Sequence, residues 1–240
     1  MVKLEEITKS KPKVSALMVT KDRNKLAKIS ILSFLKQTYP NKELIIIDDS
    51  ESDELKNFIK TVNNHRILYY HLPSENLTLG ELRNISVEKA NGEYICQWDD
   101  DDLYNPIRIE VQMSVISNLK VDGCYLDKIY SWWPLKGKLS ISRSRVWECT
   151  LLCRKDIILN YPNIRKGEDS AMIENILNRL VPISNTELYI YGIHGKNTWD
   201  EGHFNRQWDQ STNQFEYDTY DSIIENISSI FPVDEYLKSI

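Results

Sequence analysis

Apolar and polar positions alternate between two periods along the first hundred residues. The run Val14-Ser-Ala-Leu-Met-Val-Thr20 is continuously apolar and short, which predicts a buried strand. Leu26 to Gln37 carries helical spacing and is stopped by Tyr39-Pro40-Asn41. Leu44-Ile45-Ile46-Ile47 predicts a second buried strand, ending abruptly in Asp48-Asp49-Ser50. Asp53 can cap a helix that places Leu55, Phe58, Ile59 and Val62 on one face. A strand at Ile67 to Tyr70 and a helix at Leu79 to Ala90 follow, the latter closed by Asn91-Gly92, a common C-cap pair. The strand Tyr94 to Trp98 then runs into four successive aspartates. Strand, helix, strand, helix, strand is the signature of an α/β fold built on a parallel sheet with helices on both faces. In such sheets ligands collect beyond the carboxyl ends of the strands. Thr20, Asp48, Asp49 and the aspartates from Asp99 to Asp102 all lie at such ends.

Past Pro106 the pattern predicts a helix near Ile107 to Leu119, a strand near Gly123 to Leu126 and strands around Ser140 to Cys153. An amphipathic helix is expected from Glu168, with Met172, Ile176, Leu177 and Leu180 inward, then a strand at Leu188 to Ile193. One or two closing helices should occupy Tyr220 to Ile240. The expected organisation is a lead-in over 1–12, a first half over 13–106, a second half over 107–205 and a helical tail over 206–240.

Size and charge narrow the possibilities. The 240 residues suffice for one large domain, and a 41% hydrophobic fraction argues against disorder as the main state. A net charge of -5 supplies no basic field for nucleic acid. Cys96, Cys124, Cys149 and Cys153 form no CxxC pair, so they are expected as thiols in a reducing compartment. The N-terminus lacks the apolar core of a signal peptide, and no apolar run approaches the roughly 20 residues needed to span a bilayer. A cytoplasmic protein is expected, with peripheral membrane contact left open.

The strongest chemical signal is Trp98-Asp-Asp-Asp-Asp-Leu-Tyr-Asn-Pro106. Four carboxylates at the end of a buried strand repel one another, and a cation among them relieves that repulsion. Hard oxygen ligands suit Mg2+ or Mn2+. If the segment stays extended, Asp99 and Asp101 share a face. A solvated acidic loop, or a helix cap made by Asp101 or Asp102, would use the same residues without a metal.

The segments Val14 to Arg23, Ile31 to Asn41, Glu43 to Ser50, Gly80-Glu-Leu-Arg-Asn84, Ala90 to Ile95 and Asp99 to Pro106 occur in that order. Together they resemble the family 2 glycosyltransferases of GT-A fold, closely from Val14 to about Pro106, more loosely to about Trp199 and not beyond. The resemblance implies a Rossmann-like, mostly parallel central sheet, a smaller acceptor-side β region and C-terminal helices. It implies an inverting, non-processive, hexosyl-type transfer of one sugar from a nucleotide-diphosphate sugar, a UDP-sugar first, to a hydroxyl of a glycan, glycolipid or protein. Mn2+ or Mg2+ is the implied cofactor.

The same resemblance implies the site residue by residue. Thr20 and Asp22 meet the nucleobase, and Asp48 and Asp49 match the acidic pair that binds base or ribose. Arg83 approaches ribose or diphosphate. Asp99 to Asp101 form the DxD motif. Within it Asp101 is the first metal ligand, Asp99 touches ribose or metal-bound water, and Asp100 joins the donor-binding set. In Lys166-Gly-Glu-Asp-Ser170, Asp169 matches the base that takes the acceptor's proton, with Glu168 beside it. His194, in Tyr191-Gly-Ile-His-Gly-Lys-Asn-Thr-Trp199, completes the metal shell or holds the diphosphate, with His203 as runner-up. Lys196 and Asn197 are placed for phosphate or acceptor.

Departures are also visible: Val19 replaces the family's usual proline, and Glu51 follows Asp49-Ser50 where a glycine is usual. The processive synthases' Gln-x-x-Arg-Trp motif is absent. Tyr125, Tyr130, Trp132, Trp133 and Trp147 could shape an acceptor groove or simply pack the interior. Arg143 and Arg145 could meet an anionic acceptor or solvent. Two competing readings use similar residues. A sugar nucleotidyltransferase would want a glycine-rich loop after the first strand, where this chain has Thr20-Lys-Asp-Arg-Asn24. A non-catalytic nucleotide-sugar-binding module would be marked by lost carboxylates, yet Asp99, Asp101 and Asp169 are all present.

Overall fold

The computed structural model describes residues 11–73 and 76–240, so the expected lead-in falls mostly outside the described residues. The first half follows its apolar pattern: β1 (Val14–Thr20), α1 (Asn24–Leu35), β2 (Lys42–Asp48), α2 (Glu54–Val62), β3 (Ile67–His71), α3 (Leu79–Lys89) and β4 (Tyr94–Gln97). Every residue of β2 is buried, as a continuous apolar run requires in a sheet covered on both faces. Its polar first residues are satisfied inside. Lys42 Nζ donates to the Gln37 and Tyr39 carbonyls at 2.6 and 3.0 Å, and Glu43 accepts from Ser15 Oγ at 2.6 Å. The capping box of α3 pairs Thr78 with Glu81.

The expected C-cap at Asn91-Gly92 is not one. The helix ends at Ala90 in extended backbone, and Gly92 is needed for space: a Cβ there would lie 2.7 Å from the Ser15 nitrogen.

After β4 come β5 (Leu103–Tyr104), α4 (Arg108–Leu119), β6 (Gly123–Leu126), β7 (Tyr130–Trp133), β8 (Lys138–Ile141), β9 (Leu152–Arg154), α5 (Glu168–Glu174), β10 (Leu180–Ile183), β11 (Tyr189–Gly192), α6 (Glu201–Asp209), β12 (Asn213–Phe215), α7 (Tyr217–Ser228) and α8 (Val233–Leu237). They build two sheets. The seven-stranded sheet has the order β10-β6-β9-β4-β1-β2-β3 and is parallel except for β9. The five-stranded sheet has the order β12-β8-β7-β11-β5. Apolar cores fill both faces of the large sheet, and a third lies between the small sheet, α1 and the closing helices.

Two expectations in the second half are corrected. The helix begun at Glu168 runs only seven residues. Met172 and Ile176 point inward as expected, but Leu177 is 38% exposed and Leu180 opens β10. Pairing of Leu180–Ile183 with β6 outweighs local helical preference there, and Pro182 is tolerated because β10 is an edge strand. The boundary expected at 205/206 falls inside α6, whose Phe204 packs on Trp133. Among the described residues, no helix is long and apolar enough to cross a membrane. All four cysteines are buried and free.

Candidate active site

The four aspartates carry the chain from one sheet to the other. Trp98, fully buried, stacks on Tyr104 with ring centroids 3.7 Å apart, which anchors both ends of the crossing. Between them the backbone turns at Asp100 and Asp101 instead of staying extended, so the alternation expected to put Asp99 and Asp101 on one face does not apply. Hydroxyl groups from distant elements hold the turn. Ser30 and Tyr104 donate to the Asp99 carbonyl at 2.9 and 2.7 Å, and Tyr236 to the Asp101 carbonyl at 3.1 Å.

Each carboxylate then has its own surroundings. Asp99 accepts from Gln97 Nε2 at 2.9 Å and faces Arg83 at 3.6 Å. Asp100 accepts from Thr20 Oγ1 at 2.6 Å and lies 3.3 Å from Arg23. Asp101 pairs with Arg23 and with His194 Nε2, the latter at 3.0 Å. Asp102 accepts from the Tyr189 hydroxyl and from the Gly192 N–H, so both its oxygens are used structurally. Burial pushes the Asp99 carboxyl up, Asp100 to about 7, and Asp102 well above the usual range. Burial acts on Asp101 too, but Arg23 and His194 outweigh it and hold that carboxyl low. Of the four, Asp101 is the one whose carboxyl is held below its usual value.

The candidate metal ligands divide. Asp101 and His194 touch, whereas Asp99 lies with Asp102 and Cys149, whose ligating atoms fall within 4.8 Å of one another. That second group suits a hard cation poorly, because Asp102 is committed and burial keeps the Cys149 thiol protonated. His194 Nδ1 accepts from the Lys196 N–H at 3.3 Å, which leaves Nε2 to donate to Asp101. His203 makes no contact with Asp101. It stacks on Trp199 at 4.6 Å, and burial together with Arg206 and Arg145 depresses its pKa.

Residues expected at the nucleotide separate in the same way. Asp48 is fully buried and spends its oxygens on the Ser50 N–H and the Tyr69 hydroxyl, at 2.9 and 2.8 Å, so it braces the strand end. Asp49 Oδ2 takes Lys21 at 2.6 Å, while Asp49 Oδ1 is buried with no partner. Asp22 is exposed, with its backbone in the left-handed region (φ 54°) and its N–H donating to Ser50 Oγ at 2.8 Å. Arg83 is buried rather than a surface cation. Its Nε donates to Glu168 at 2.7 Å and its other face meets Asp99, so one guanidinium ties the acidic turn to the later acidic pair.

A cavity of about 260 Å3 opens between these groups. Val19, Arg23, Arg83, Asp99 to Asp101, Trp147, Glu148, Glu168 and Asp169 all line it. Thr20, Asp22, Asp48 and Asp49 are not on its wall. Glu168 is occupied by Arg83. Asp169 is the freer of the pair, bonded only to the Ser170 N–H at 2.8 Å, and burial raises its pKa against the opposing pull of Arg83. Asn197 is spent locally on the His194 N–H and the Gly192 carbonyl. Of the aromatics considered for a groove, Trp147 lines the cavity; Trp132 and Trp133 pack against Tyr236 and Phe204 in the interior.

Arg23 and Glu148 were not foreseen. Arg23 follows the first strand closely, but nothing in local spacing announces an ion pair across 78 residues. Glu148 accepts from Ser170 Oγ and Arg145, both at 2.8 Å.

A parallel sheet whose strand ends meet an acidic turn and a buried arginine, with a further carboxyl lining the same cavity, has the layout of a nucleotide-sugar enzyme. The family Glycosyl transferase family 2 matches residues 15–145, and the chain belongs to that family. A proposed colanic acid biosynthesis glycosyl transferase of Escherichia coli K12, WcaA, is 38% identical over 105 residues, covering 43% of this chain and 37% of that protein. The Escherichia coli UDP-Glc:alpha-D-GlcNAc-diphosphoundecaprenol beta-1,3-glucosyltransferase WfaP is 29% identical over 185 residues, covering 69% of this chain and 71% of that one. The crystal structure of S. aureus TarS 1–349 in complex with UDP-GlcNAc superposes with a TM-score of 0.62 at 20% identity, covering 77% of this chain and 60% of that chain. This chain thus spans less than two thirds of WcaA and of the TarS chain. The fold is GT-A, with the mostly parallel central sheet expected from the strand and helix pattern.

Proposed function

We propose that this glycosyltransferase moves a single hexose from a UDP-sugar to an acceptor hydroxyl of a glycan, glycolipid or protein, with inversion and with help from Mn2+ or Mg2+. The observation that carries the reading is that Asp169 and the acidic turn line one 260 Å3 cavity, joined through Arg83 and Glu168. Inverting transfer needs a base on the side opposite the departing diphosphate. Asp169 is a carboxyl whose pKa burial raises, which makes its ionised form a stronger proton acceptor. Glu168 positions Arg83, and Arg83 is then aimed at the diphosphate side.

The donor set fits a divalent cation. Arg23 and Arg83 face four successive aspartates, of which Asp100 and Asp102 are buried, so carboxyl groups outnumber cations at the turn. Asp101 would hold the ion, oriented by His194, with Asp99 on the same cavity wall for the ribose or a metal-bound water. When bound, it would neutralise charge on the leaving diphosphate. Asp49 Oδ1, buried and without a partner, suits an N–H or O–H donor of the base or ribose, beside Thr20 and Asp22. Asp100, held by Thr20 and Arg23, sets the turn beneath the nucleotide. TarS as a UDP-GlcNAc complex and WfaP as a UDP-glucose enzyme support a UDP-sugar as donor. On this reading residues 13–106 bind the donor, the chain from 107 through α6 carries acceptor and base, and the remainder closes the small sheet. Four buried thiols suit the cytoplasm as the setting.

The test is UDP release with Mn2+ across UDP-, GDP- and dTDP-sugars. One donor should be hydrolysed slowly, and Asp101→Ala and Asp169→Asn should abolish release while Asp169→Asn still binds UDP. Absence of turnover and of metal-dependent nucleotide binding with every donor would sink the assignment.

A further inference from the structure

A second cavity, of about 250 Å3, adjoins the first, and Arg145, Trp147, His203 and Gln207 belong to both walls. Its charge differs from its neighbour's. The first cavity mixes the carboxyls of Asp99 to Asp101, Glu148, Glu168 and Asp169 with Arg23, Arg83, Arg145 and Lys166; the second has no carboxylate on its wall and carries Arg143, Arg145 and Arg206. Arg145 is paired with Glu148 at 2.8 Å and lies 4.5 Å from the Trp147 ring centroid. Arg143 and Arg206 have no carboxylate within ion-pair distance among the described residues. The positive field is felt nearby, since Arg206 and Arg145 both help depress the His203 pKa, after burial.

Buried polar atoms without a partner are rare because each forfeits a hydrogen bond. Among the described residues six side-chain atoms are in that state, and three of them, Ser131 Oγ, Trp147 Nε1 and Gln207 Oε1, sit on residues of this one cavity. Ser131 is 7% exposed and Trp147 4%. An indole N–H can only donate, guanidinium groups can only donate, and a serine hydroxyl can do so. Such a set matches an oxyanion. Gln207 Oε1, an acceptor on the shared wall, suits a sugar hydroxyl between the two cavities.

We propose that this second cavity is an acceptor subsite that holds an anionic group, phosphate or carboxylate, carried by the acceptor sugar. The proposal rests on the reading of the first cavity as the donor and catalytic site. An acceptor bound this way would present its hydroxyl toward Asp169 while its charge is taken by Arg143, Arg206, Trp147 and Ser131.

The test titrates inorganic phosphate and glucuronate separately into the full chain by calorimetry, without donor or metal. At least one should bind saturably, and which one binds distinguishes a phosphate from a carboxylate acceptor. The double substitution Arg143→Gln and Arg206→Gln, at exposed positions that leave the fold intact, should weaken that binding at least tenfold. Ser131→Ala should weaken it several-fold. No saturable binding of either anion, or binding unmoved by the double substitution, overturns the proposal. A separate titration of UDP with Mn2+ into the same proteins reports on the donor reading. UDP affinity unchanged by the double substitution, alongside lost anion binding, is the expected pair, and failure of UDP to bind would fault the first cavity alone.

Discussion

Gly192 is where the closing helices meet the acidic turn, and replacing it should damage stability and activity together. A Cβ at this position would lie 1.9 Å from Tyr236 Oη and 2.6 Å from the Asp101 carbonyl oxygen. The tyrosine can swing away; the backbone carbonyl cannot move without dragging the turn. Gly192→Ala therefore adds an overpacking cost of about 2 kcal/mol. Losing the Tyr236 bond to the Asp101 carbonyl costs about 1 kcal/mol more. Disturbing the Trp132–Tyr236 ring pair, 5.3 Å between centroids, costs about 1 kcal/mol. Alanine recovers about 0.7 kcal/mol by restricting the unfolded chain. The net loss is about 3 kcal/mol, which for a chain of this size lowers Tm by about 6–12 °C. Displacement of the turn should also slow UDP release about tenfold or more. Urea unfolding and the release assay measure the two effects, and the companion Tyr236→Leu should recover part of the packing cost but not the clash with the carbonyl. A Gly192→Ala protein whose Tm stays within about 2 °C of the parent, with unchanged release, would refute the packing account.

Asp169 must be deprotonated to accept a proton, and its folded pKa lies above the usual aspartate value. Release should thus fall as pH drops through that raised pKa, and Asp169→Asn should cost about 10²–10⁴-fold in rate and remove the limb; an Asn variant keeping the parent's acid limb would assign it to another group. Arg23→Gln leaves Asp100 and Asp101 without their shared cation. Because the guanidinium is 26% exposed, the loss should be about 1–3 kcal/mol, below that of a fully buried pair, and a change under about 0.5 kcal/mol in urea unfolding would contradict the pairing.

How much could be read beforehand varied by residue and for physical reasons. Continuous apolar runs bounded by turn residues located β1, β2, β3, β4 and β6 within a residue or two, because a strand covered on both faces has little freedom in what it contains. The acidic turn and the Lys166 to Ser170 segment stood out by composition. Asp48 did not stand out from Asp49: only the positions of Ser50 and Tyr69 make one a brace and leave the other with an open oxygen. β7 and β12 escaped notice, since Tyr-Ser-Trp-Trp and Asn-Gln-Phe are not the aliphatic runs that marked the buried strands.

Local order therefore determined the alternation of strands and helices, the end of the sheet where chemistry collects, and the family. These depend on contacts near in sequence or on burial that the apolar pattern already encodes. Tertiary structure decided what each charged group does. It turned the chain at Asp100 so that four neighbouring aspartates have four different environments. It brought Arg23 across 78 residues, set Arg83 between Asp99 and Glu168, and laid the last helix against the turn through Tyr236. It also placed an arginine-rich cavity beside an acidic one. Charge pairing and desolvation depend on which groups meet in space, and no period along the chain records that.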